Sequence, residues 1–418
     1  MNKKTLLLLV ACVACSAAFA QNISTPYSMY GYGIIGDRAT SMQRQMGSVG
    51  YAMQSGRQIN VMNPASYAAI DSLTFLFDIG ADFAMIKRKN QSVTENSYGG
   101  GLDYVTMQFP LSKHFGGSIG MLPYSGVGYA FGSDVTHGTL ENQGNGGINM
   151  AYLGLAASYF GVSLGFNVSY NFGNIINDIY TNPTSGRSLF EHVMQIRDWD
   201  INIGLQYRAD LTKNDRLVIG ATYAPKKTIL GRSWATIQEM TMEQLPDTVG
   251  YLNLKDNYYT PTSIGAGVSY VHERTWRLSV ELDYTFQQWS KAKYSPMRSM
   301  KDPANIIFQG MDFYDRSRYA LGAEFIPNMR GKYYERMRYR IGAYYADDYL
   351  NIQGNRLREY GITCGVGLHT PSDKTIINFG LEWKHRSAHP TPLITENYFN
   401  ITLGVNFNEL WFYQRKIK

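Results

Sequence analysis

Residues 161–173 read GVSLGFNVSYNFG. Val162, Leu164, Phe166, Val168, Tyr170 and Phe172 fall on one face of an extended chain. Ser163, Gly165, Asn167, Ser169 and Asn171 fall on the other. Strict two-residue alternation of this length specifies a β-strand with one apolar face. The pattern recurs. Trp276, Leu278, Val280, Leu282, Tyr284 and Phe286 alternate with polar residues, as do Phe399, Ile401, Leu403, Val405 and Phe407. Strands of soluble domains usually run about five or six residues. These are longer, and suit membrane spans of about 9–11 tilted residues with extensions beyond them.

Fourteen such segments are expected, near 72–86, 102–113, 116–132, 148–160, 161–174, 197–211, 215–227, 260–272, 275–289, 314–326, 333–346, 356–369, 374–386 and 398–412. Short connections, at His114-Phe115, Phe160-Gly161, Thr212 to Asn214 and Glu273-Arg274, alternate with longer ones. The longer set includes Lys87 to Gly101, Ser133 to Gly147, Ile175 to Ile196, Thr228 to Tyr259 and Ser290 to Phe313. Short turns on one side and long loops on the other are the rule of outer-membrane barrels. A soluble sandwich or propeller would alternate along its strands but not between its connections, and no blade repeat is visible. The expected fold is an all-β, antiparallel transmembrane barrel of about fourteen strands.

In that barrel the polar face lines the lumen. It carries Asp78, Asp82, Asp198, Asp200, Arg208, Glu281, Asp283, Arg318, Glu324, Arg336, Arg338, Arg340, Glu382 and Lys384. Trp199, Trp276, Trp289, Trp383 and Trp411 are expected at the interface girdles. Cys364 shares the lipid phase of Ile362 and Val366.

The remaining composition agrees with export to a membrane. Lys3 and Lys4, the apolar run Leu6 to Val13 and Ala18-Phe19-Ala20 make residues 1–20 a cleavable signal peptide ending before Gln21. A lipoprotein box at Leu9 to Cys12 would leave an unusually short apolar core. Without the signal, Cys364 is the last cysteine, so no intramolecular disulfide can form; stability must come from a large core or a closed sheet. Lys+Arg number 39 against 33 Asp+Glu, with no long basic run to suggest nucleic acid. After residue 20 no stretch approaches the 18 or more apolar residues of a spanning helix. Tyrosine (32) and glycine (41) are abundant.

Residues 21–70 do not alternate and precede the wall, residues 71–418. A barrel of this size has a lumen too wide for its own side chains to fill, so this segment is expected to fold inside it as a hatch. Within "NVMNPASY", Asn63 can hydrogen-bond locally, Pro64 fixes a turn and Ala65 permits close packing. The order of parts, with Gly47-Ser48-Val49-Gly50-Tyr51-Ala52 followed by Asn63-Pro64-Ala65 ahead of fourteen strands, resembles the FadL-type outer-membrane transporters of long-chain fatty acids and other hydrophobic molecules. The resemblance implies capture of an apolar ligand outside, a site near the hatch, gating by hatch residues Asn63, Pro64 and Ala65, and lateral release through a gap at a kinked third strand. No cofactor is implied; the expected partners are outer-membrane lipid and a hydrophobic small molecule. Barrels of this kind also serve as accessory subunits of outer-membrane protein assembly or secretion machines, and that competing role stays open.

The third strand reads FGGSIGMLPYSGVGYAFG, with Pro123 among Gly117, Gly120, Gly126 and Gly128. Proline cannot donate to a ladder, so Pro123 predicts a local break: a lateral opening involving Gly120, Pro123 and Gly126, or an ordinary bulge. Arg336, Arg338 and Arg340 could receive a ligand carboxylate, or pair with luminal acids. Enzymatic readings fail on context. Gly31-Tyr32-Gly33-Ile34-Ile35-Gly36 matches G-x-G-x-x-G but follows no strand and opens no βαβ unit. His272-Glu273 lacks the second histidine of H-E-x-x-H, the seven histidines show no metal spacing, and Ser387 near His385 is not a supported triad.

Overall fold

The computed structural model describes residues 25–410, apart from 91–92, 136–137, 184–186, 241–246, 255–257, 293, 295–296, 303, 305, 309 and 371–373. The signal segment with Cys12 and Cys15, and Trp411, lie outside the described residues.

The alternating segments form fourteen wall strands: β1 (Thr74–Lys89), β2 (Thr94–Pro110), β3 (Phe115–Val135), β4 (Gly138–Tyr159), β5 (Val162–Pro183), β6 (Arg187–Asp210), β7 (Asp215–Ala224), β8 (Ser263–Glu273), β9 (Arg277–Gln287), β10 (Arg316–Ile326), β11 (Arg338–Ile352), β12 (Asn355–His369), β13 (Thr375–His389) and β14 (Thr395–Leu410). Each pairs antiparallel with its neighbours in sequence. β14 closes on β1, from Thr74 opposite Leu410 to Lys89 opposite Thr395.

Burial along the strands is inverted relative to a soluble protein. On β5, Val162, Leu164 and Phe166 are exposed while Ser163, Asn167, Ser169 and Asn171 are buried. On β6, Trp199, Ile201, Ile203, Leu205 and Tyr207 face outward, and Asp198, Asp200 and Gln206 face in. Such a continuous outer apolar band has no stable exposure to water, but it satisfies a bilayer, where closure leaves no strand edge. Trp199, Trp276 and Trp383 lie on the outer surface as expected. Cys364 is exposed there too. Among the described residues no helix is long and apolar enough to cross a membrane.

Three of the expected long connections are mostly strand. β1 and β2 approach each other across 90–93, β3 and β4 across 136–137, and β5 and β6 across 184–186. The stretches 94–101, 138–147, 175–183 and 187–196 lack a purely apolar face because beyond the lipid both faces meet water or protein, yet their backbones continue the ladders. The wall is consequently uneven: β3 to β6 span 21–24 residues, whereas β7 to β10 span 10–11. Between β7 and β8 the chain makes a hairpin, Gly231–Met240 and Asp247–Leu254. Its first strand pairs with Arg187–Ile196, so β6 exchanges β7 for this hairpin above the barrel.

The barrel is filled by the N-terminal segment, residues 25–73, whose Met42, Met46, Val49, Ala52, Ile59, Ala65 and Tyr67 are all buried.

Candidate functional site

Asn63 is the hub of the luminal segment. It caps the short 3-10 helix Pro64–Ala69, its Oδ1 accepting from the Ala65 N–H at 3.0 Å. Its Nδ2 donates to the Tyr51 carbonyl at 2.6 Å and to that of Leu205, on β6, at 3.2 Å. One side chain thus joins two parts of the segment and fastens both to the wall. Pro64 needs close backbone approach, which the wall supplies with glycine. A Cβ at Gly204 would lie 2.0 Å from Asn63 Oδ1, and one at Gly165 would lie 2.5 Å from the Pro64 carbonyl carbon and oxygen. Tyr67 then stacks on Tyr152 at 6.4 Å.

The luminal charges grip the segment's backbone. Asp283 accepts from the N–H groups of Gly50 (2.7 Å) and Tyr51 (3.1 Å), and Glu281 from that of Ala52 (2.8 Å). Arg318 donates to the carbonyls of Gly47 (2.9 Å) and Ser48 (3.3 Å) and to Asp37 (3.1 Å). Arg44 reaches back to Asp103 on β2 at 2.7 Å. Burial pushes the Asp37 carboxyl up, but Arg318 and Arg316 outweigh it and hold it below the ordinary aspartate value. Buried charges persist only when paired in this way. The carboxylates of the Glu281-Leu282-Asp283 stretch were legible as luminal; their backbone partners were not.

The arginine row divides. Arg340 is committed to Glu324 (2.8 Å), Gln45 (2.8 Å) and Asn378 (2.7 Å). Arg338 meets Gln58 at 3.1 Å and Glu324 at 3.5 Å, and Arg336 lines a cavity at the short-turn mouth. The three do not converge on one luminal pocket. Arg208 also departs from the lumen: its side chain is 43% exposed and pairs with Asp210 at the rim.

Pro123 marks a break in the wall. The β2–β3 ladder stops at Val105 opposite Met121, and the β3–β4 register shifts between Pro123 and Ser125. Above the shift, the edge that β2 leaves bare is taken by the luminal segment. Ile34–Ile35 pairs with Ser125–Gly126, Gly36 N–H donates to Tyr124, and Thr25 N–H donates to Gly128. Gly31 and Gly33 turn the chain into this position at positive φ, which accounts for the G-x-G-x-x-G spacing. Gly120 sits below the break, in the paired part of the wall, packed against Val105 and Tyr152. Gly126 differs, since a Cβ there would meet nothing within 4 Å. It borders a luminal cavity of about 520 Å³ that reaches from the β2–β3 break across to β10–β14. That cavity is lined by Asp37, Arg44, Asp82, Asp103, Arg316, Asp348, Glu359, Glu382, Lys384 and Arg386 as well as by glycines.

At the outer end the apolar chamber is full. Trp289, expected at a girdle, is 1% exposed and packs on Tyr32 (5.6 Å) and Tyr349 (4.4 Å). Phe313 and Tyr294 complete the cluster. The physical reason is that β9 ends at Gln287: Trp289 opens a 3-10 turn folded over the bore, its Nε1 donating to the Gln287 Oε1 at 3.0 Å. The space left beside it is about 10 Å³.

Fold and interior together define a closed fourteen-strand barrel with its N-terminal segment packed in the bore. Among solved structures, the CymD monoaromatic hydrocarbon channel matches 92% of this chain and 100% of its own at 14% identity, with a TM-score of 0.60. The P. putida toluene transporter TodX matches 90% and 100% at 16% identity (TM-score 0.63). A Pseudomonas aeruginosa FadL homologue matches 90% and 99% at 12% identity (TM-score 0.63). At these identities the likeness is one of fold. No curated protein sequence matches. The family profile described as BamG matches residues 1–418, and the chain belongs to the BamG family.

Proposed function

We propose that this barrel resides in the outer membrane of a diderm bacterium and works with its bore occupied, as an accessory barrel of a protein assembly or secretion complex there. The observation that carries this reading is the way the interior is filled. Wall carboxylates and arginines hold the hatch by its backbone, and the aromatic cluster around Trp289 packs the outer end. An apolar molecule moving along such a path would displace paired charges, each costly to leave buried alone. Such a barrel acts through its surfaces.

A second reading is passive passage of a hydrophobic small molecule, such as a long-chain fatty acid, with gating by Asn63, Pro64 and Ala65 and lateral release past Pro123. The cavity at the β2–β3 break favours it, as does the fold shared with the toluene transporter and the hydrocarbon channel. Native mass spectrometry after mild extraction from the protein's own membrane separates the two. The first reading expects a stoichiometric complex with other membrane proteins. A monomer carrying an apolar molecule supports the second, and then Pro123→Val lowers uptake of that molecule into liposomes.

A further inference from the structure

Five arginines gather at the short-turn mouth of the barrel. Arg57, Arg216, Arg277, Arg336 and Arg338 surround an open cavity of about 450 Å³ whose lining includes two carboxylates, Asp71 and Glu273. The basin has a formal excess of three positive charges. Arg57 comes from the luminal segment, Arg216, Arg277 and Arg338 from the starts of β7, β9 and β11, and Arg336 from the turn before β11.

Deeper in the lumen each of several arginines has one close carboxylate, at 2.7 Å for Arg44–Asp103, 2.8 Å for Arg340–Glu324 and 2.5 Å for Arg386–Glu359, while Arg316 stands 3.7 Å from Asp348 and 3.8 Å from Asp37. In the basin the pairs are loose. Arg57 stands 3.5 Å from Asp71. Arg216 and Arg277 share Glu273 at 3.6 and 3.8 Å, and the Arg277 Nε has no hydrogen-bond partner. Arg338 competes with Arg340 for Glu324 and lies farther from it, at 3.5 Å. Guanidinium groups bind carboxylates best as planar forks at about 2.7–2.9 Å. Five of them held near one another beside two carboxylates repel unless an anion joins them.

We propose that this mouth is a docking basin for an acidic segment of a partner protein, a site that rests on the accessory-barrel reading above. A run of Asp or Glu side chains supplies several carboxylates on one chain, as a basin with cations on several elements requires. Binding there would also tie Arg57 of the luminal segment to three wall strands and the turn before β11, so a docked partner fixes the segment in place.

The test uses the full-length protein in detergent micelles and a fluorescein-labelled hexaglutamate peptide, with hexalysine and inorganic phosphate as comparison probes. Hexaglutamate is expected to bind, to weaken steeply with added salt as surface charge is screened, and to lose about tenfold or more in affinity in Arg57→Gln/Arg336→Gln, which removes two charged donors. Arg208→Gln, whose arginine pairs with Asp210 away from the basin, should bind like the wild type. Absence of binding, equal binding of hexalysine, or an unchanged affinity in the double variant overturns the proposal. Phosphate that binds where hexaglutamate does not also overturns it, leaving a small-anion site. If the double variant fails to assemble, Arg57→Gln alone serves, since that side chain is 58% exposed.

Native mass spectrometry distinguishes this failure from failure of the functional reading. A complex that forms around a wild-type barrel unable to bind hexaglutamate removes the basin and leaves the accessory role. Hexaglutamate binding by a chain found only as a monomer removes that role and leaves an acidic-peptide site.

Discussion

Replacing Asn63 with Ala should undock the centre of the luminal segment while leaving the wall intact. Asn63 is fully buried. The substitution removes the cap on the Ala65 N–H and the donors to the Tyr51 and Leu205 carbonyls. Loss of an N-cap costs about 0.5–2 kcal/mol, and leaving a buried polar group without its partner costs about 1–3 kcal/mol. The Tyr51 carbonyl keeps a bond from Gln206 at 2.9 Å, and Leu205 keeps its place in the wall ladders. The two losses therefore do not add in full, and the change is about 1–4 kcal/mol against docking. That corresponds to about 5- to 700-fold more frequent opening of residues 50–67, at a tenfold change per 1.4 kcal/mol. Hydrogen exchange of the detergent-solubilised protein reads this directly, as lost protection at Gly50, Tyr51, Ala52 and Ala65. The heat-dependent gel shift of the closed barrel should stay as in the wild type. Asn63→Asp keeps the cap acceptor but sets a buried carboxylate against the Tyr51 and Leu205 carbonyls, so it should lose at least as much protection as Asn63→Ala. Protection within twofold of the wild type in Asn63→Ala, or loss of the barrel shift instead, would refute the view that this residue fastens the segment independently of the wall.

Trp289→Ala empties the outer chamber at a cost of about 3–5 kcal/mol, and should let an apolar fluorophore bind that the wild type excludes; titration by fluorescence checks it. Gly126→Leu should assemble and melt like the wild type, because a side chain there enters open space; a thermal melt decides. The acid response should come in two steps. Burial pushes His192, on the β6 extension beneath the outer hairpin, down to about 4. The folded state thus disfavours its protonation, and the hairpin should loosen as pH falls from about 6.5 towards 4, by exchange at Arg187–Ile196. Asp37 is instead held low by Arg318 and Arg316. Its contribution is present above the ordinary aspartate value and lost only as pH falls below it, so exchange around Gly36–Arg38 should be unchanged between about pH 7 and 5. Asp37→Asn should remove that lower step.

The wall was legible because its determinant is local. Outward residues such as Val162, Leu164 and Phe166 must be apolar one at a time, whatever the rest of the chain does. Strand ends were less legible. Above the lipid, Thr94–Gly101 and Arg187–Ile196 keep their ladders without an apolar face, so periodicity fades where pairing does not. The break at Pro123 was readable from the missing N–H, but not its occupant, since Ile34 and Ile35 stand some ninety residues away and carry no edge-strand mark. Trp289 was misread by composition, because β9 ends at Gln287 and the 3-10 turn beyond it folds over the bore. The arginine row had the right face, yet its fate depended on Glu324, Gln45 and Asn378 from three distant stretches, a coincidence no single window contains.

The uneven height of the wall has a geometric consequence. At about 3.3 Å per residue and a tilt near 40°, the 24 residues of β6 rise about 60 Å, and the 11 of β9 about 28 Å. The shorter figure matches the apolar core of a bilayer; the taller side overtops it by about 30 Å. Above β7 to β10 the outer height is carried instead by the paired segments Gly231–Met240 and Asp247–Leu254, which take over the β6 edge and bridge at Leu254 to Ser299. One half of the rim is thus continuous wall and the other half is inserted chain, which can be reshaped without unzipping the barrel ladder.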